Sequence, residues 1–345
     1  MSSILDLKSM NLGEIEQIIS SLSLPKFRAK QIFGWLQKGV ENFEDMKNVP
    51  KSVTEKLAEN YYISYAKIEK KFSSNLDETV KYLFSLYDGE LIESVVMKYK
   101  HGYSICVSSQ VGCNMGCKFC ASTIGGKSRN LTAGEILSQI FSAQKDLGVR
   151  ISNVVLMGMG EPLDNFNQVM KFLELVGEEG GLNIGMRHIS LSTCGVVDKI
   201  YELMQKKLQI TLSISLHAPN DELRNTIMPI NKKYNVKTLI KACREYTEKT
   251  GRRISFEYAL IKDFNDSAEC AEQLKNLTSG MIAHINLIPA NPVHKNKFEK
   301  PDKTAVYKFC ELLNSLGLNA TVRRTLGADI DASCGQLRAK HKNKD

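Results

Sequence analysis

An α/β fold built on a mostly parallel sheet, preceded by a small helical region and a linking β-hairpin, is predicted by three features of this sequence. Six short β-rich runs succeed one another after residue 150, with helical patterns between most of them. Two alternating runs flank Asp88-Gly89, and before residue 75 the apolar residues recur at helical spacing.

The helical region comes first. "LGEIEQIISSL" and "KFRAKQIFGWLQKG" place apolar residues on one helical face, and Pro25 and Pro50 punctuate the segments, so residues 1 to about 75 read as a helical packing and docking module. Lys26, Arg28, Lys30 and Lys38 lie in its second helix and the approach to it. From Thr79 the period changes to two. "TVKYLFSLYDGELIESVVMKY" reads as a hairpin turning at Asp88-Gly89, where both residues tolerate positive φ, and "YSICVSSQ" supplies a third strand. Strand-like runs then appear at 153–157, 188–193, 210–216, 254–260, 284–288 and 320–323. The helix ahead of the first of these is explicit: Thr132 to Glu135 forms a capping box, Ile136, Leu137, Ile140, Phe141 and Leu147 share a face, and Gly148 is the stop. Strands separated by helices of this length pair in parallel through crossovers, which gives a parallel α/β barrel or an open doubly wound sheet.

At 345 residues and 43% hydrophobic content, the chain suits one large barrel-like domain with a real core plus a smaller domain. The first twenty residues lack the pattern of a signal peptide, and no apolar run approaches the roughly 20 residues of a membrane span. A soluble, cytosolic protein is therefore expected, with its nine cysteines mostly reduced and directed to metal binding, catalysis or burial. The net charge of +8 permits nucleic-acid binding without requiring it, and the basic tail "RAKHKNKD" reads either as a solubilising end or as an RNA-backbone contact.

Cys113, Cys117 and Cys120 follow the third strand with the spacing Cys-x3-Cys-x2-Cys, which curls a loop so that three sulfurs converge. Structural zinc wants four ligands, and Cys106 and His101 are the nearby candidates for a fourth. A four-iron four-sulfur cluster on three cysteines leaves one iron open, the position S-adenosylmethionine takes through its amino and carboxylate groups in radical enzymes. The place of the loop after the first strand of an α/β repeat, with Phe119 ahead of the third cysteine, favours the cluster.

In parallel barrels the chemistry gathers at the carboxyl ends of the strands. Those ends here carry Gly158-Met159-Gly160-Glu161-Pro162, then Ser192, Thr193 and Cys194, then Ser215-Leu216-His217, then Asn286 and the turn Pro289-Ala290-Asn291-Pro292. Singly, each reads as well as an ordinary turn or a hydrogen-bonded structural residue; together they converge on the cysteine loop. Cys334 lies in a Gly-rich loop beyond the last strand and Cys106 in the strand feeding the cysteine loop, placing both to reach one cavity. Cys243, Cys270 and Cys310, within helical patterns, read as small core residues, and Cys194 stays open.

"CNMGCKFC", "GMGEPL", "LSTCG", "SLHAPND", "NLIPANP" and "DIDASCGQL", in this order, resemble the RlmN family of radical S-adenosylmethionine RNA adenine methyltransferases over about residues 93–337. The resemblance implies a partial parallel (β/α)6 radical-SAM barrel over 91–337. Residues 1–90 resemble the family's helical accessory domain more loosely and include the start of the hairpin, and 338–345 are a basic tail. It further implies methylation of carbon 2 of one adenine in 23S rRNA, at the peptidyl-transferase centre, and of the adenine beside the anticodon in some tRNAs. One 4Fe-4S cluster on Cys113, Cys117 and Cys120 is implied, with two S-adenosylmethionine molecules per turnover contacted by Gly160, Glu161, Ser192, Ser215, Leu216, His217 and Asn291. A low-potential electron donor such as flavodoxin or ferredoxin, no membrane, and a monomer go with it. By the family mechanism Cys334 is first methylated and then loses hydrogen to a deoxyadenosyl radical, and the resulting methylene radical adds to the adenine. Glu93 stands where the family has its proposed general base, and Cys106 attacks Cys334 to free the base through a transient disulfide. Relatives called Cfr methylate carbon 8 with the same cysteines, whereas Pro162, Pro289 and Ala290 look like the carbon-2 enzyme. Two other classes remain at this point: a non-enzymatic iron–sulfur or zinc RNA-binding module, and a radical enzyme that activates a protein partner, for which Cys106 and Cys334 would be superfluous.

Overall fold

Residues 4–290, 298–299, 301–333 and 335–337 are described by the structure, a computed structural model. Its N-terminal part comprises β1 (Leu5–Asp6), α1 (Leu12–Ser21), α2 (Phe27–Leu36), α3 (Lys51–Ala58) and β2 (Tyr61–Tyr62), with β1 and β2 paired in parallel. Asn11 opens α1 with a capping box: its side chain accepts from the Glu14 amide while the Glu14 carboxylate accepts from the Asn11 amide. Leu7, Ile15, Ile19, Ile32, Leu36 and Leu57 bury their apolar faces together in a core distinct from that of the main sheet.

The chain then lays down β3 (Lys67–Ser73), β4 (Val80–Ser85), β5 (Leu91–Tyr99) and β6 (Gly102–Cys106), all antiparallel neighbours. A two-stranded ribbon, β7 (Gln110–Gly112) and β8 (Lys127–Asn130), carries the cysteine loop between its strands. From there strands and helices alternate: α4 (Ala133–Leu147), β9 (Ile151–Leu156), α5 (Phe166–Val176), β10 (Ile189–Thr193), α6 (Val197–Gln205), β11 (Thr211–Ser215), α7 (Asp221–Ile227), α8 (Val236–Thr250), β12 (Ile254–Leu260), α9 (Ala268–Thr278), β13 (Ala283–Pro289), α10 (Lys303–Ser315) and β14 (Ala320–Val322). Each of the six expected β-rich runs is a strand here. The capping box at Thr132, the stop at Gly148 and the turn at Gly89 are formed as well.

The main sheet has ten strands in the order β14-β13-β12-β11-β10-β9-β6-β5-β4-β3, parallel from β6 to β14. A doubly wound sheet reverses its strand order at a switch point, and no such reversal occurs here. Right-handed crossovers that always step the same way put their helices on one face, so the other face is left for a barrel interior. With β3 and β14 at the two edges, the barrel is partial. Every residue of β12 is buried, as befits an inner strand covered on both sides.

One expectation fails in the first 75 residues. Lys67–Ser73 is not helical but forms β3, the edge strand beside β4. Ile68 and Phe72 are half-buried while Lys67, Glu69, Lys70 and Lys71 are exposed, and the register shifts between Ile68 and Lys70. Charges and a bulge protect an exposed edge from pairing with other chains, and the same two features erase the period of two.

The N-terminal part docks on α4 through a buried polar node. The Asp6 carboxylate accepts from the hydroxyl of Thr132, the N-cap of α4, at 2.6 Å and from the Ser64 amide at 3.1 Å. The Lys8 ammonium, 2% exposed, donates to the Ser64 carbonyl and to the Ser138 hydroxyl of α4. Gly134 leaves no room between the two: a Cβ there would lie 2.4 Å from both Asp6 Oδ2 and Ser64 Oγ.

Alanine normally gains about 1 kcal/mol over glycine inside a helix. Gly134→Ala should instead lower the melting temperature and expose the N-terminal segment to limited proteolysis, because the new methyl displaces the docked segment. Cleavage and melting unchanged from wild type would refute this packing. Burial, opposed by Asp6, holds the Lys8 pKa at about 8. The unfolded chain keeps the proton up to its ordinary value of 10.5, so between these values the unfolded state binds more protons and stability rises with pH. Lys8→Met removes a buried cation while Ser138 still donates to the Ser64 carbonyl. Its stability relative to wild type should be greatest near pH 7 and decline toward pH 10, by on the order of 3 kcal/mol, in chemical denaturation followed across that range.

Candidate active site

Residues at and just beyond the carboxyl ends of β9 to β14 line a cavity that opens to solvent, and the cysteine loop forms its rim. Cys113, Cys117, Cys120, Gly160, Glu161, Ser192, Ser215 and His217, all expected from the sequence, share this wall. Leu216 does not: it is fully buried behind it, its amide donating to the Glu257 carbonyl at 3.1 Å. Asn291 and Cys334, like the tail 338–345, lie outside the described residues.

The loop is shaped by its own backbone. The Cys113 amide donates to the Gly126 carbonyl at 3.1 Å, the Lys118 amide to the Ile227 carbonyl of α7 at 2.9 Å, and the Thr123 hydroxyl to the Cys120 carbonyl at 2.9 Å. Burial pushes the Cys113 thiol up to about 12, and Cys117 rises for the same reason, with the charge of Cys120 adding to both. Cys194 packs with Cys117 against Ile227 and Met228 and lines the cavity as a buried thiol, which settles the one cysteine left open by the sequence.

Glu161 is 3% exposed, and its carboxylate accepts from the amides of Cys194 at 2.7 Å and Leu163 at 3.0 Å. Burial raises its pKa against these hydrogen bonds. Its own amide donates to Gln110 Oε1 at 2.8 Å, and the Gln110 amide group donates in turn to Asn130 and Asp164, tying the turn after β9 to the β7–β8 ribbon. Gly160 permits the approach: it has φ of 102° and no space for a Cβ, which would lie 2.6 Å from the Gln110 side chain.

His217 is a wall rather than an acid or base. The Ala259 amide donates to Nδ1 at 2.9 Å, which leaves that nitrogen bare and the proton on Nε2. Burial, with the charge of Arg224 second, brings its pKa down to about 3, so the ring is neutral at physiological pH. It meets Phe119 of the cysteine loop edge-on at 4.7 Å.

Two functional residues escaped the sequence reading. Arg224 of α7 is fully buried and donates to the carbonyls of Cys194 at 2.7 Å, Leu216 at 3.1 Å and Ser215 at 3.2 Å, and to Asn231 at 2.9 Å. Glu257, in the middle of β12, faces the cavity and accepts from Asn286 at 2.7 Å and Ser255 at 3.1 Å. A single carboxylate inside the apolar run "ISFEYAL" was the available signal for Glu257.

A second, smaller cavity adjoins the first, sharing Met157, Ile288 and Arg323 with it. Cys106 lines this one, together with Val95 and Met97 of β5 and with Ala332, Ser333 and Leu337. Cys106 lies opposite Val95, so Glu93, two residues before Val95, shares that face of β5. The Glu93 carboxylate is buried and 4.0 Å from the Lys81 ammonium, which donates to the Asp331 carbonyl at 3.3 Å. Past β14 the chain runs back across this open side. Asp329 accepts from the Ser74 hydroxyl at 2.7 Å and the Asn75 amide at 2.8 Å, while the Gly335 carbonyl accepts from the Ala121 amide at 2.7 Å. Residues on either side of position 334 are thus fastened to the antiparallel strands and to the cysteine loop.

The zinc alternative is not assembled. His101 precedes β6 at the end away from the cysteine loop, stacked on Tyr99, and Cys106 faces the second cavity. Among the described residues no three His, Cys, Asp or Glu side chains stand in metal-coordinating geometry. The donor chemistry nevertheless fits an iron–sulfur group: three thiols on one loop facing one cavity are soft ligands, and their burial disfavours thiolate charge until a cation compensates it.

Comparison with known proteins agrees with this geometry. Residues 107–274 match the family model of the radical SAM superfamily, and residues 5–63 match that of the ribosomal RNA large subunit methyltransferase N-terminal domain. A protein of Clostridium acetobutylicum named "Probable dual-specificity RNA methyltransferase RlmN" is 53% identical over 99% of this chain and 98% of its own length. One of the same name from Clostridium novyi is 55% identical over 96% of this chain and 97% of its own. The crystal structure of a radical SAM methyltransferase from Sphaerobacter thermophilus superposes with a TM-score of 0.92 at 40% identity, covering 97% of this chain and 100% of that one. Radical SAM membership implies S-adenosylmethionine and a 4Fe-4S cluster in general, and among the described residues no helix is long and apolar enough to cross a membrane. The chain belongs to the RlmN family: it is an S-adenosylmethionine-dependent RNA methyltransferase of the radical SAM superfamily.

Proposed function

We propose that this enzyme methylates carbon 2 of one adenine in 23S rRNA and of the adenine beside the anticodon in some tRNAs. The observation that carries the reading is the meeting of two cavities, one rimmed by the three-cysteine loop and the other holding Cys106 beside the segment that flanks position 334. Cys113, Cys117 and Cys120 hold one 4Fe-4S cluster, and Gly160, Glu161, Ser192, Ser215, His217 and Asn291 surround S-adenosylmethionine, two molecules of which serve each turnover, while Leu216 backs that wall. When loaded, the loop supplies reductive cleavage of S-adenosylmethionine to a hydrogen-abstracting radical.

The remaining roles fall to Cys334, Glu93 and Cys106. Cys334 carries the one-carbon unit as a thioether and delivers it to the ring. Carbon 2 lacks useful acidity, so the proton it loses needs a placed acceptor, and Glu93, set beside Lys81, takes that part. Cys106 attacks the sulfur of Cys334, and the disulfide so formed releases the base. Pro162, Pro289 and Ala290 are the residues that favour carbon 2 over carbon 8. We further propose that residues 1–90 form the accessory domain and 91–337 the catalytic domain, and that the protein works as a cytoplasmic monomer with a flavodoxin or ferredoxin as electron donor. The separate N-terminal core supports the accessory unit. Lys26, Arg28, Lys30 and Lys38 on that unit, with the tail, are the proposed RNA-backbone contacts.

Reconstituted enzyme given reductant, methyl-labelled S-adenosylmethionine and unmodified RNA should yield 2-methyladenosine in nucleoside mass spectrometry; 8-methyladenosine would overturn the regiochemistry. Cys334→Ala should lose all methylation while its iron content and visible absorption stay at the wild-type level. Cys106→Ala should accumulate protein covalently attached to RNA on denaturing gels, and free methylated RNA from that variant would remove Cys106 from the release step.

A further inference from the structure

Three side chains line both cavities, and the charged one, Arg323, belongs to no role assigned so far. Arg323 follows β14, its amide donating to the Leu287 carbonyl of β13 at 2.8 Å. Its guanidinium stands 3.5 Å from the Met157 sulfur and 3.9 Å from Glu257 Oε2, and its side chain is 20% exposed. Glu257 is itself fixed by hydrogen bonds from Asn286 and Ser255.

We infer that Arg323, oriented by Glu257, positions the target adenine where the two cavities meet. The inference rests on the methyltransferase reading above and deepens it. A base that is to react with groups from both cavities must lie at their junction, and Arg323 lines that junction with Met157 and Ile288. The buried carboxylate cancels the guanidinium charge, so this wall is dipolar rather than cationic. It is therefore a poor seat for a free carboxylate or phosphate and a good one for a neutral heterocycle. A planar guanidinium offers a stacking face and donors in a fixed fork, matching a purine ring and its nitrogen acceptors. Met157 and Ile288 supply the apolar remainder. The ligand is a purine taken out of an RNA stack, since carbon 2 is inaccessible in a paired helix.

The test uses the full-length enzyme with S-adenosylmethionine and no reductant, and an RNA hairpin carrying 2-aminopurine at the target adenine. Wild type should raise the 2-aminopurine fluorescence on binding. Arg323→Met should bind the hairpin about tenfold more weakly and lose that rise, while equilibrium dialysis finds S-adenosylmethionine affinity within about twofold of wild type. Arg323→Lys, which keeps the charge and the fold but not the plane, should behave like Arg323→Met. Full rescue by lysine would overturn recognition of a planar base, and a large loss of S-adenosylmethionine affinity with the fluorescence rise intact would move Arg323 to the cofactor site. Failure of the wild type itself to bind the hairpin would overturn the proposed adenine target, and this inference with it.

Discussion

A single buried guanidinium holds the catalytic end of this barrel together. Arg224 donates to main-chain carbonyls at the ends of β10 and β11, so it ties the two strand ends together beyond their last ladder pair. The helix that carries it also grips the cysteine loop, through the Ile227 carbonyl and the packing of Cys117 on Ile227 and Met228. Taking such a charge out of water costs several kcal/mol, offset here by hydrogen bonds worth about 1.5–3 kcal/mol each for a charged donor. Strand ends, loop and cavity therefore share one anchor, and the wall formed by Ser192, Ser215 and His217 depends on it.

The second constraint is closure of the open side. A sheet ending in β3 and β14 leaves its interior unprotected, and the chain after β14 crosses that opening to reach the loop between β3 and β4. Asp77 completes the clasp by accepting from the Gly327 amide at 3.0 Å. From there the same segment continues to the cysteine loop at Ala121 and Ser122. One strand of chain thus touches the antiparallel extension and the cysteine loop. This brings Cys106 and the flanks of position 334 into one neighbourhood without any contact between nearby residues in the sequence.

What the sequence disclosed, and what it hid, follows from the range of the forces involved. The strands from β9 onward, the hairpin at Gly89 and the capping box at Thr132 are set by alternation, turn chemistry and a local side-chain bond, all visible within a few residues. β3 was hidden because the charges that guard an edge dilute its alternation. Arg224 stands among polar residues in "DELRNTI", and only the tertiary structure supplies the carbonyls that make its burial tolerable. The cavity-lining cysteines, glycines and serines were legible from their places after strands, yet Leu216 sits behind the wall because successive residues at a strand end point to opposite sides. The docking of Asp6 on Thr132 joins residues too far apart in sequence for any periodicity to report.

The chemistry of the thiols bears on how the site is loaded. Their ligating form is the thiolate, and burial makes that form unfavourable at Cys113 and Cys117 while no cation is bound. Loading is therefore coupled to proton release, and its apparent affinity rises with pH. The bonds that shape the loop, from Cys113 to Gly126 and from Lys118 to Ile227, run through the backbone and are indifferent to thiol ionisation. Arg224 offsets part of the cost, since its charge favours thiolate at Cys117. A loop shaped in advance by its backbone, with a fixed positive charge behind its most buried ligand, needs the cations to supply charge rather than to organise the fold.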